Sequence, residues 1–188
     1  MLRSAHDAFL SVQDITHHSA PHLHVCHAPT HSVQPSVVLG YLDYFRSVLR
    51  AKVSGLSDEQ LRSSIVPSGW SPIELVNHLV NVERRWLVWG FLGLDVEDPW
   101  ADNRDGRWFV APQESLDGLL LALSTGGERT RGIVLDHELT DVGAPGERWD
   151  GAEPATLERV LLHVVQEFAR HAGHVDVVRE LLDGTTGE

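Results

Sequence analysis

The sequence predicts an all-α fold, a four-helix bundle with long crossover connections. Three observations carry that expectation. Four stretches space their apolar residues three and four apart, which marks one buried face of a helix. No segment alternates apolar and polar residues with the period of two that a half-buried strand needs. Two long turn-rich connections separate the later helices, so helices that pack together are joined by crossovers.

The first helix is read in VVLGYLDYFRSVLRAKVSGL, starting at Val37. Leu39, Leu42, Phe45, Val48 and Leu49 share one face, and Gly55 is placed as its stop. Ser57-Asp58-Glu59 starts a short helical turn. In PSGWSPIEL, Ser71 is an N-cap, Pro72 takes the first helical position and Glu74 lies where a capping box needs it. That helix is expected to run to about Phe91 and to stop near Gly93.

Residues 93–112 have no periodic pattern and contain two Asp-rich turns, so they form a long connection. A third helix is expected from Glu114 to about His137, carried by Leu116, Leu119, Leu120 and Leu123 and later by Ile133-Val134-Leu135. Gly126-Gly127 interrupts it, and a kink or break is expected there. Residues 138–152 are again turn-rich. The last helix opens at Pro154 or Thr156 and ends at Asp183-Gly184.

The chain has 188 residues, 42% of them hydrophobic and 22% charged, enough apolar side chain for a real core. Three regions are expected: a histidine-rich, poorly ordered leader over 1–34, a helical bundle over 35–184, and a tail over 185–188. The leader holds seven of the twelve histidines (His6, His17, His18, His22, His24, His27 and His31) and no helical or strand period. It is read either as a metal-scavenging tract or as an adventitious extension, and the second reading is favoured.

A net charge of −12, from 15 basic and 27 acidic side chains, argues against partners that need phosphates neutralised. No nucleic acid and no anionic membrane surface is expected as a partner. The single cysteine, Cys26, excludes an intramolecular disulfide and a Cys-cluster metal site. No apolar run approaches the roughly 18 residues of a transmembrane helix, and the N-terminus is a poor secretory signal. A cytoplasmic protein is the resulting expectation.

Chemistry concentrates on the last helix, TLERVLLHVVQEFARHAGHVDVVRELLDG. Its apolar seam runs Leu157, Leu161, Val164, Phe168, then Val175, Val178 and Leu182, and the missing member is His171. At about 100° per residue Glu167 lies some 40° round the helix from His171, and His174 some 60°. Residues four apart are neighbours on a helix surface, so Glu167 and His171 can close on one ion. A partly buried carboxylate beside a buried histidine needs compensation, because an unpaired buried charge costs several kcal/mol. A metal, an arginine or a Glu–His hydrogen bond would each supply it.

On the second helix Leu75, Leu79, Val82, Trp86 and Trp89 form the apolar face, and His78 lies on its border. Alone it reads as a satisfied core histidine. Facing Glu167 and His171 across a bundle, it reads as a further ligand. Two histidines and one carboxylate leave coordination positions open, which suits catalytic zinc, and an octahedral iron(II) could use the same set.

Among the remaining residues, Trp86, Trp89, Trp100, Trp108 and Trp149 are read as packing and loop-anchoring side chains in preference to the roof of a pocket. Arg84 and Arg85, beside Glu83, are read as a solvated charged face. His137 is assigned nothing.

The blocks LGYLDYFRSVLRAKVSGLSDEQL, PSGWSPIELVNHLVNVERRW and TLERVLLHVVQEFARHAGHVDVVRELLDG together resemble the DinB-like superfamily over residues 37–184. The resemblance implies a four-helix bundle with one metal-ligating histidine on the second helix and a pair of ligands one turn apart on the last. It implies His78 as the first ligand and His171 as the last. Position 167, histidine in many members, is Glu167 here, as in the mycothiol-dependent maleylpyruvate isomerase branch. His163 and His174 stand within a turn and remain alternatives for the middle ligand.

For function, the resemblance implies a metal-dependent enzyme, with zinc as the metal (nickel or iron in its place), using a low-molecular-weight thiol such as mycothiol. Its reaction would be S-transfer or isomerisation of a small-molecule substrate, and a homodimer is compatible with it. A metal with an open position makes the thiolate available near neutral pH. The competing expectation is a non-catalytic metal- or ligand-binding bundle, a stress-linked accessory or dimerisation protein. A fourth protein ligand would favour it by closing the site.

Overall fold

The computed structural model describes residues 34–187. The histidine-rich tract, His6 to His31, and Cys26 lie outside the described residues. Helix α1 spans Pro35–Val53, with proline in its first turn, and buries Val38, Leu39, Leu42, Leu49 and Val53 on one stripe. The short α2, Asp58–Arg62, is started by a capping box in which Ser57 and Gln60 satisfy each other's backbone amides. Helix α3, Pro72–Glu83, begins with the Ser71/Glu74 capping box that its sequence predicts.

The chain then continues directly as a π-helical segment, Arg84–Phe91. The bond from Leu92 N to Leu87 O, 3.0 Å, marks the wider turn. Such turns are rare and shift the angular register of the side chains that follow. Here Arg85, Leu87, Val88, Gly90 and Phe91 are all buried. The helix end expected near Phe91 is therefore right, while the change of pitch at Arg84 has no counterpart in the apolar spacing.

Residues 93–112 contain a minimal antiparallel ribbon, β1 (Asn103–Arg104) and β2 (Arg107–Trp108), with Asn103 opposite Trp108. Asp105 and Gly106, at φ of 53° and 77°, form the connecting turn. Two consecutive left-handed residues are what a tight hairpin turn requires, and Asp-Gly supplies them at little cost.

Helix α4 runs from Leu116 to Asp136 without a break. The break expected as one outcome at Gly126-Gly127 does not occur. A side chain at Gly127 would place its Cβ 3.0 Å from the Arg46 guanidinium, and one at Gly126 would come within 3.3 Å of Glu83 Oε2. The two glycines thus make room for a buried ion pair between Arg46 of α1 and Glu83 of α3, to which Thr130 of α4 also donates a hydrogen bond. Packing between helices, not helix termination, accounts for them.

Helix α5, Leu157–Asp183, is capped by Thr156 at its start and by left-handed Gly184 at its end. It packs along α1 and against α3, while α4 packs on α1 and α3. The four long helices enclose one core in which Leu42, Leu49, Ile73, Leu79, Leu123, Leu161 and Phe168 are essentially sealed. Each such side chain contributes about 1.5–3 kcal/mol relative to exposure. Among the described residues no helix is long and apolar enough to cross a membrane.

Candidate metal centre

His78, Glu167 and His171 meet between α3 and α5. Each offers one ligand atom, and these atoms lie within 4.8 Å of one another. Glu167 Oε2 is the common neighbour, 3.2 Å from His171 Nε2 and 3.6 Å from His78 Nε2. A tetrahedral ion held at about 2.0 Å by nitrogen and oxygen separates its donors by roughly 3.3 Å. The spacing and the donor types therefore fit a divalent ion such as zinc. The two imidazoles are 6% and 7% exposed and the carboxylate 15%, so the cluster is nearly enclosed.

The α5 geometry follows from the seam: Phe168 and Val175 are buried on either side of His171, and the helix carries Glu167 one turn back on the same face. His78 is buried because α3 is enclosed on nearly every side, with Leu75, Val76, Asn77, Leu79 and Val82 all inside. The border position indicated by its apolar face thus lies within the core.

A residue absent from the sequence expectation fixes the His78 ring. Asp102, from the loop before β1, accepts a hydrogen bond from His78 Nδ1 at 2.8 Å and is itself 2% exposed. That contact makes Nδ1 a donor and turns the Nε2 edge to the cluster, where a metal would take the place of the Nε2 proton. Arg85 holds the other side of Asp102, with Nη1 2.5 Å from Oδ1 and Nη2 3.0 Å from Oδ2. Arg85 is 3% exposed, so the solvated face expected for Arg84 and Arg85 is wrong for the second of them. Its partner lies 17 residues away in a loop, and the adjacent Glu83 is occupied by Arg46 instead.

Electrostatics follow these contacts. Burial raises the Asp102 carboxyl, but hydrogen bonds from His78 and Arg85 outweigh it and hold the group at about 2. Glu167 is likewise held far below the usual carboxylate range, its desolvation overcome by hydrogen bonds from His171 and His78. Desolvation lowers His78, yet Asp102 and Glu167 raise it further and the net shift is upward. His171 and His163 are both shifted downward, chiefly by burial.

The two alternative ligands stand outside the donor group. His163 Nε2 lies 3.5 Å from Glu167 Oε1, on the far oxygen from the imidazoles. His174 Nδ1 faces His171 Nδ1 at 3.1 Å, behind the ring and away from Nε2. Aromatic rings close the surroundings: Trp108 stacks on His78 at 4.5 Å between centroids, and Trp86 packs on His163 at 4.2 Å. The β hairpin is what delivers Trp108. Trp149 anchors a loop, as expected, donating from Nε1 to Gly90 O and Ala144 O. His137 lies apart, beside Asp141. A separate cavity of about 540 Å³ lies between α3 and α4, lined by Val80, Glu83, Leu87, Leu119 and Thr130 among others, and none of the three donors borders it.

Solved structures with this arrangement of helices exist. YfiT from Bacillus subtilis, described as a probable metal-dependent hydrolase with an unusual four-helix bundle topology, superposes with a TM-score of 0.59 at 17% identity, covering 84% of this chain and 94% of that one. A conserved protein from Enterococcus faecalis does so with a TM-score of 0.56 at 15% identity, over 82% of this chain and all of the other (100%). At such identities the likeness establishes the fold. No curated protein matches the chain. The mycothiol-S-transferase family model matches residues 37–184, the whole bundle, and the chain belongs to that family.

Proposed function

We propose that this protein is a metal-dependent thiol S-transferase in which His78, Glu167 and His171 hold one divalent ion, zinc by preference. The observation that carries the reading is the donor set itself: two imidazole nitrogens and one carboxylate oxygen from two facing helices, within 4.8 Å, with no fourth described residue in the group. Three protein ligands leave a position for an exogenous molecule, as catalytic zinc sites do. Membership of the mycothiol-S-transferase family supports a low-molecular-weight thiol, mycothiol by preference, as that molecule. The description of YfiT supports metal dependence. A cytoplasmic location belongs to the same reading.

When bound, such an ion lowers the pKa of a thiol at its open position and so supplies a nucleophile near neutral pH. The chain's own residues make that possible. Glu167 stays ionised and faces both imidazoles through Oε2, and so supplies the anionic donor that a cation would need there. Asp102, clamped by Arg85, keeps the His78 proton on Nδ1. Trp108 covers the His78 ring and limits water there. In the transfer, the thiol proton leaves to solvent, sulfur bonds to an electrophilic carbon of the second substrate, and the leaving group departs with its electron pair.

Isothermal titration of holo- and apo-protein with mycothiol, in buffers of different ionisation enthalpy, tests this. Binding confined to the holo-protein, with about one proton released, is expected. Equal affinity with and without metal would favour a non-catalytic ligand-binding bundle.

A further inference from the structure

One buried cation in the described chain has no counter-ion. Arg148, in the short 3-10 turn Glu147–Trp149, is 9% exposed. Its Nε is sealed from solvent without an acceptor, and the guanidinium makes no hydrogen bond or ion pair among the described residues. The other buried arginines are served differently: Arg46 pairs with Glu83 and Arg85 with Asp102. In a chain with 27 acidic and 15 basic side chains, acids are not scarce. Burial lowers the Arg148 guanidinium to about 10, and Arg85 pushes in the same direction with no acid opposing. Stacking on Trp86, 4.0 Å from the ring centroid, offsets part of the cost of burying the charge.

The position of this cation gives it meaning. Trp86, on which it lies, also packs on His163, whose Nε2 approaches Glu167 Oε1. The charge of Arg148 is felt at His163. The turn that bears Arg148 is fixed by the two hydrogen bonds of Trp149 Nε1 and by Gly90, where a Cβ would meet Arg148 Cγ at 3.4 Å. A preplaced, unpaired guanidinium therefore adjoins the two rings, Trp86 and His163, that border Glu167 of the donor cluster.

We infer that Arg148 is the anion-recognition residue of this centre, and that the second substrate, the one that receives the sulfur, carries a carboxylate that takes the guanidinium's free N–H groups. A thiol with a carboxylate tail stands in for both partners in the test. The inference rests on the reading of His78, Glu167 and His171 as a centre for small molecules. A planar carboxylate matches a single guanidinium in charge and in its paired oxygens.

Two six-carbon thiols, 6-mercaptohexanoate and 6-mercaptohexanol, make the test with full-length, cobalt(II)-loaded protein. Binding is read from the thiolate-to-cobalt charge-transfer band, with His171→Ala as the background. The wild type is expected to bind the acid on the order of tenfold more tightly than the alcohol. Arg148→Gln should lose that preference, keep its affinity for the alcohol within about twofold, and keep its melting temperature. Arg148→Lys should retain part of the preference. Equal affinities in the wild type, or a preference that survives in Arg148→Gln, would overturn the inference.

Absence of the band with either thiol would count against the thiol reading alone. The anion site is then decided by hexanoate, which should raise the melting temperature of wild type and not of Arg148→Gln. A matching shift in both, or none in either, overturns it. Should Arg148→Gln fail to fold, Arg148→Lys and competition of hexanoate against 6-mercaptohexanoate in the wild type decide in its place.

Discussion

Asp102 Oδ2 lies 2.8 Å from His78 Nδ1, and this contact decides which nitrogen of His78 faces Glu167. Without it the imidazole could present either edge to the cluster. Losing an outer hydrogen bond to a ligating histidine typically costs 10–100-fold in metal affinity, as a rough guide. Asp102→Asn should therefore weaken zinc binding on the order of tenfold or more while leaving one site per chain. Competition with a chromophoric chelator measures it, and unchanged affinity would show that Asp102 serves only Arg85.

The same carboxylate gives the apo-protein an acid limb. Its folded value of about 2 lies below its ordinary 3.8, so the unfolded chain takes up a proton at higher pH than the folded one. The stabilisation is complete above about pH 4 and is lost as pH falls toward 2, amounting to about 2 kcal/mol. Chemical denaturation of metal-free wild type and Asp102→Asn across that range should show a shallower decline in the variant. Parallel declines would assign the acid limb to other groups.

Much of the centre is legible in the sequence because helices repeat. The gap in the seam between Phe168 and Val175 identifies His171, and four-residue spacing brings Glu167 beside it. Helix ends are equally readable where chemistry marks them, at Ser71-Pro72 and at Gly184. Asp102 is not readable this way. It sits in a loop 24 residues from His78, where no period relates the two. Residues 93–112 read only as a long connection with Asp-rich turns, and the folded chain alone shows that a hairpin turning at Asp105-Gly106 carries Trp108 onto His78. Arg85 and the pair Gly126-Gly127 mislead for one reason: both answer to side chains distant in the sequence, Arg85 to Asp102 in a loop and the glycines to Arg46 and Glu83 on other helices.

Those glycines give a direct test of packing. Gly127→Ala would bring a Cβ 3.0 Å from the Arg46 guanidinium, which is held by Glu83 and cannot easily retreat. A loss of about 1–3 kcal/mol is expected. Gly132→Ala, on the same helix, meets nothing within 4 Å and should gain about 0.5–1 kcal/mol from helix propensity. Thermal melts of the two variants should move in opposite directions. Two stabilised variants would mean that Gly127 is not a packing requirement.

Trp108 should matter to the centre more than to the fold, since it is half-buried yet stacks within 15° of the His78 ring plane. Trp108→Leu keeps an apolar side chain but opens that ring to water. The expected result is faster metal exchange with a chelator and a near-normal melt. A collapse in stability without a change in exchange would make Trp108 a core residue only.

The account rests on three side chains holding one ion, and zinc affinity measured by chelator competition addresses it most directly. Wild-type protein should bind one tight equivalent per chain. His171→Ala and Glu167→Gln should each lose that equivalent, with affinity falling by roughly a hundredfold or more. The comparison between variants separates this site from any weaker binding by the histidine-rich tract. A wild type without a tight equivalent, or variants that hold zinc as tightly as wild type, would contradict the assignment of His78, Glu167 and His171 as the metal centre.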